Sequence, residues 1–152
     1  MNVLEHPDCF VCSKHAGQID VPGGAIYEDD LAYIGHLFRP NEKVYLGYCM
    51  VEPKRHAPDL ADLTNEEAQR LGLLVTRLTQ ALKACIGAEH ICSFVLGDHV
   101  PHLHIHVVPR YPGAPRQYWG IHVDEWPDAP RGGTQDIDTI CERLRTYMKR
   151  DK

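Results

Sequence analysis

Pro101-His102-Leu103-His104-Ile105-His106-Val107-Val108-Pro109 is the stretch that decides how this chain is read. The residues between and just after its histidines are apolar and mostly β-branched, which predicts a strand. Side chains on a strand alternate faces, so the three imidazoles share one face and Leu103, Ile105 and Val107 share the other. One face is chemistry and the other is core. A structural strand gains nothing from three polar rings in a row, because each buried ring nitrogen needs a partner. The bland alternative is a solvated polar face. The functional ones are a metal site or a nucleophile with helpers.

Working outward, 152 residues suffice for one domain with a real core. The apolar fraction of 43% and charged fraction of 24% are those of a globular protein. A net charge of −5 argues against broad binding to nucleic-acid polymers or membrane surfaces, while leaving room for a small local phosphate site. Residues 1–8 carry Glu5 and Asp8 and no apolar run, so no secretory leader is expected. The most apolar region, Leu71 to Leu96, is interrupted by Arg77, Lys83 and Glu89, which excludes a membrane span there. Six cysteines in that context predict cytoplasmic thiols or metal ligands rather than a disulfide framework.

Cys9-Phe10-Val11-Cys12, followed by His15, reads as zinc ligands, a redox pair or nothing. A redox pair usually follows a strand, and no apolar strand precedes this one. Zinc needs two more ligands, and ten histidines offer them. Val21-Pro22-Gly23-Gly24 is a turn. Three strands follow, over Ala25–Glu28, Leu31–Phe38 and Val44–Val51, arranged as an antiparallel meander. Glu52-Pro53-Lys54-Arg55-His56 lies at the third strand's end, where functional side chains often project. Thr64 and Glu67 form a capping box ahead of a helix whose stripe is Leu71, Val75, Leu78, Leu82 and Cys85. A strand over His90–Leu96 and a connection through Gly97-Asp98-His99-Val100-Pro101 lead to the histidines. Beyond Pro109 a Pro/Gly-rich stretch to Gly133 holds Trp119 and Trp126, and long irregular loops are often functional. A last helix from Thr134 sets Ile137, Ile140, Cys141, Leu144 and Met148 on one face. The chain divides into an arm (1–24), a core (25–112) and a tail (113–152) of one domain.

The His-x-His-x-His-apolar-apolar run with its Pro-Arg sequel resembles the signature of the histidine triad (HIT) family. The segment Val51 to His56 is similar to that family's strand-end motif, and Gly97 to Pro101 occupies the place of its turn before the triad. The resemblance covers roughly Cys9 to Arg110. It implies an α+β fold: an antiparallel sheet of about five strands, one long helix and a C-terminal helix. It implies hydrolysis or transfer of nucleotidyl groups, from substrates such as nucleoside phosphoramidates and dinucleoside polyphosphates. By motif position His104 is the nucleophile, attacking the α-phosphorus to form a nucleotidyl-imidazole that water resolves. His106 contacts the phosphate or the leaving-group side. A neutral imidazole suits this role if an acceptor holds its other nitrogen.

The resemblance also implies a structural zinc on Cys9, Cys12, His56 and His102, with His15 as the rival fourth ligand. Two thiolates and two imidazoles suit tetrahedral zinc. A homodimer through the long helix and sheet edge is implied too. The chain departs from the family before the triad, where Asp98 and His99 replace an amide and a hydroxyl that hold phosphate oxygens. Asp98 repels phosphate unless protonated or turned away, whereas His99 can donate. Tyr33-Ile34-Gly35-His36 offers no acidic residue for the ribose hydroxyls. Trp119 and Trp126 read first as packing and second as base-stacking groups. Two rival functions stand: a zinc-dependent hydrolase with His102, His104 and His106 as ligands, and a nucleotide-binding regulatory protein with little turnover.

Overall fold

Short strands build one antiparallel sheet: β1 (Tyr27–Glu28), β2 (Ala32–His36), β4 (Cys49–Pro53), β5 (His90–Phe94) and β6 (Ile105–Arg110) lie in the order β1-β2-β4-β6-β5. β3 (Val44–Tyr45) and β7 (Arg131–Gly132) form a separate two-stranded ribbon. The structure is a computed structural model that describes residues 6–150. The reading of the leading residues as free of a secretory signal therefore falls partly, over residues 1–5, outside the described residues. The α+β architecture and five-stranded antiparallel sheet are those expected from the sequence.

Two helices cover one face of the sheet. α2 (Asn65–Ile86) starts where the Thr64 hydroxyl accepts from the Glu67 amide at 3.1 Å and the Glu67 carboxylate accepts from the Thr64 amide at 2.9 Å. It ends at Gly87, whose φ of +69° favours glycine. α3 (Thr134–Arg150) packs on α2. Leu71, Leu74, Leu78 and Leu82 from α2 meet Ile137, Cys141 and Leu144 from α3 and Ile34, Val51, Leu103 and Val107 from the sheet side. This is the main core, and it takes the face of the histidine stretch predicted to be apolar.

The other face is covered unevenly, and the chain departs from expectation in four places. The third strand is split rather than continuous over Val44–Val51. Gly47 turns the chain at φ +86°, and a Cβ there would meet Ile86 Cδ1 at 2.7 Å and Pro109 Cγ at 2.8 Å. The turn resets the alternation, so Tyr45 and Tyr48 both join a second buried cluster with Val108 and Val123. The histidine strand begins at Ile105, not His102. Its ladder partners on β4 are Cys49, Met50 and Val51, and β4 ends at Pro53, which has no amide to give. Leu103 N–H turns instead to the Ala57 carbonyl at 2.8 Å. The tail is less irregular than expected: 3₁₀ turns span Arg116–Tyr118 and Gly120–Glu125, and the second packs against β5 and β6. The arm holds a helix that periodicity did not reveal, α1 (Phe10–His15). Among the described residues no helix is long and apolar enough to cross a membrane.

Candidate functional site

Cys9 caps α1, its Sγ accepting from the Cys12 amide at 3.4 Å, so one helical turn brings both thiols to the same end. They face the strand-end His56 and the buried His102. Cys12 Sγ lies 3.4 Å from Nδ1 of His56 and 3.4 Å from Nδ1 of His102, and Cys9 Sγ lies 3.5 Å from His102 Nδ1. All four ligand atoms fall within 4.8 Å of one another. A cation about 2.3 Å from sulfur and about 2.0 Å from nitrogen, at tetrahedral angles, separates such atoms by about 3.5 Å. The three contacts at 3.4–3.5 Å match that spacing, so the donor set comes close to that of a tetrahedral metal site.

The surrounding chemistry agrees. His102 Nε2 donates to the Pro53 carbonyl at 2.8 Å, which leaves Nδ1 with a lone pair facing the thiols. Burial pushes His102 down to about 4, so the ring is neutral, the form that ligates. Burial and the neighbouring Cys9 push the Cys12 thiol up to about 11, so this pair calls for a cation to ionise it. All six cysteines are free thiols. His15 is not one of the four, although its ring meets that of His102 edge to face at 5.5 Å. Its Nε2 lies 3.1 Å from Glu52 Oε1, and its ring packs on Tyr33 at 4.6 Å.

The other two triad histidines are not among those four. His104 Nδ1 donates to the main-chain carbonyl of His102 at 2.7 Å, which fixes the tautomer and leaves the Nε2 lone pair on a half-buried ring. His106 Nδ1 is 2.7 Å from the Tyr48 hydroxyl, and the ring stacks on Phe94 at 4.9 Å and 13°. Burial, with His104 adding to it, pushes His106 down to about 4, so it too is neutral. The rings of His104 and His106 meet edge to face at 4.9 Å.

The remaining candidates scatter. Asp98 and His99 are exposed, and His99 lines a cavity of about 400 Å³ with His6, Cys9, His56 and Val100. His36 is buried and satisfied: Nδ1 donates to the Leu37 carbonyl at 2.7 Å and Nε2 accepts from the Gly47 amide at 2.8 Å. Trp119 is stacked by Arg110 at 3.7 Å and Arg116 at 4.7 Å, and Trp126 packs on the second cluster. Sequence reasoning assigned no role to Tyr48, Phe94, Lys14 and Glu52. Tyr48 lies outside every motif. Glu52, however, is a carboxylate inside a run of apolar strand residues, which was a signal for a buried partner.

A HIT-domain family profile matches residues 18–113. Protein hit of Bacillus subtilis (strain 168) is 27% identical over 147 residues, covering 90% of this chain and 94% of its own length. The adenosine 5′-monophosphoramidase hnt1 of Schizosaccharomyces pombe is 26% identical over 146 residues, covering 93% of this chain and 98% of its own. Among solved structures, a zinc-bound histidine triad family protein from Mycobacterium smegmatis superposes with a TM-score of 0.69. It covers 93% of this chain and 94% of its own at 23% identity, a likeness of fold.

Proposed function

The chain belongs to the HIT-domain family, and from that premise we propose that it cleaves nucleotide substrates at the α-phosphorus through a covalent bond to His104. One observation carries this reading. The 2.7 Å bond from His104 Nδ1 to the His102 carbonyl leaves Nε2 unprotonated, on a ring that is not part of the metal-ligand group. Attack forms the Nε2–P bond as the bond from phosphorus to the leaving group breaks; that electron pair departs with the leaving group, and a departing amine takes up a proton on its nitrogen as it leaves. Water then attacks phosphorus, the Nε2–P pair returns to the ring, and a nucleoside monophosphate is released with one proton. Dividing the reaction makes each step easier than direct hydrolysis. Negative charge builds on the phosphoryl oxygens, and in this reading His106 and His99 are the donors that meet it. Substrates with amine or phosphate leaving groups both fit; a relative named as a monophosphoramidase supports the former.

Zinc is assigned to Cys9, Cys12, His56 and His102, on the strength of their spacing and donor chemistry. When bound it supplies a cross-link between the arm and the triad loop. It also fixes the residue whose carbonyl orients His104. A homodimer along the β5 edge and α2 belongs to the same reading. The rival three-histidine metal site lacks support: of the triad, only His102 joins a convergent ligand group among the described residues.

The test is His104→Ala, assayed with adenosine phosphoramidates and dinucleoside polyphosphates while intact-protein mass spectrometry follows the adduct. The parent should gain one nucleotidyl mass, and the variant should lose the adduct and at least about 10³-fold in kcat while keeping its metal. Near-normal turnover would defeat the assignment, and metal loss from a folded variant would favour the rival.

A further inference from the structure

Tyr48 stands just before β4, and among the described residues its hydroxyl is the one polar atom that pairs with the His106 ring. Two proton arrangements satisfy that 2.7 Å contact. If His106 Nδ1–H donates, the phenolic proton has no acceptor among the described residues, and the Nε2 lone pair is idle as well. If Tyr48 donates, its only proton is used and a single group, Nε2–H, is left without a partner. The second arrangement strands one fewer buried polar group and avoids the desolvation cost of that group.

Three further features hold the ring in this state. Burial pushes the Tyr48 phenol far above its usual range, so the hydroxyl keeps its proton. The phenol is only 7% exposed, which leaves little room for water to compete. Phe94, the cross-strand neighbour of His106, lies nearly parallel to the imidazole and blocks its rotation. The Nε2 atom is shielded from water and has no partner among the described residues. An acceptor arriving beside the His104 ring is what its proton lacks.

We propose that Tyr48 is the positioning residue of this site: by donating to Nδ1 it holds His106 as the neutral Nε2–H tautomer, a donor oriented for the substrate's phosphoryl group beside His104. The inference rests on the reading of His104 as nucleophile. A donor fixed before the reaction needs no reorganisation as charge develops, whereas a ring free to exchange tautomers presents a lone pair to the phosphate part of the time.

The test uses the full chain labelled with ¹⁵N-histidine, together with Tyr48→Phe, which keeps the ring that packs in the second cluster. In the resting parent, His106 should show a protonated Nε2 and an unprotonated, hydrogen-bonded Nδ1. In Tyr48→Phe that single tautomer should be lost. Its kcat for an adenosine phosphoramidate should fall at least about tenfold with KM held within about threefold, because the contact matters in the transition state. A parent His106 protonated at Nδ1 overturns the proposal without recourse to any variant. So does a Tyr48→Phe protein with the parent's nitrogen shifts or the parent's kcat. A parent that turns over no nucleotide defeats the His104 reading instead, since the tautomer is measured without substrate.

Discussion

Glu52 is a carboxylate with 1% of its surface exposed, placed on β4 between the arm and the sheet. Lys14 reaches its Oε1 at 2.8 Å and Oε2 at 3.1 Å, and His15 Nε2 approaches at 3.1 Å. Burial alone would raise this carboxyl. The His15 hydrogen bond and the Lys14 charge outweigh burial and hold it below the usual carboxylate range. The stability it contributes is then fully present above its unfolded value of about 4.5 and is lost as pH falls through the lower folded value. Lys14→Met leaves the carboxylate buried without its cation and should cost about 3–5 kcal/mol at pH 7. The variant should also lose part of the parent's steep decline below pH 4.5. Urea unfolding across pH 3–7 checks both, and a loss under 1 kcal/mol at pH 7 would count against a buried pair.

At the scale of elements, α1 is the least self-sufficient piece. Six residues are too short to be a stable helix alone, so its order comes from the Cys/His group and the Glu52 contacts. Cys9→Ser with Cys12→Ser, or chelation of the parent, should therefore strip hydrogen-exchange protection from residues 9–16 while β4 and β6 keep theirs. It should also lower Tm by roughly 5 °C or more. Equal protection of α1 with and without metal would show the Glu52 contacts to be sufficient. This dependence explains why the arm's helix was invisible beforehand: one turn and a half carries no periodicity. α2 was legible because Thr64, Glu67 and five turns of apolar spacing agree. The break at Gly47 was not, since the alternation runs on through Val44 to Val51 and only the crowding by Ile86 and Pro109 reveals the turn. The triad's sidedness was legible from Leu103, Ile105 and Val107. Its exit from the ladder was not, because that depends on Pro53 across the sheet. Tyr48 reached the site through that same turn, so no local pattern announced it.

Over the whole molecule, the helices bury one face of the sheet and leave its β5 edge open. Val95 is 38% and Leu96 56% exposed just beyond that strand. An unpaired edge beside exposed apolar groups is a pairing surface. Light scattering should give a particle of twice the 17.2 kDa of one chain, and Val95→Glu with Leu96→Glu should return it to one chain without loss of helical signal. A parent that scatters as a single chain would remove the dimer from the reading.

The family profile begins at residue 18 and stops at 113. α1 lies before it and the 3₁₀ turn over Gly120–Glu125 lies after it, yet these two pieces flank the histidines on either side of the same sheet face. The three triad histidines lie inside the matched segment, while pieces packed beside them come from the two ends of the chain. On the proposed reading, substitutions confined to those ends would change what the site accepts and leave His104 in place.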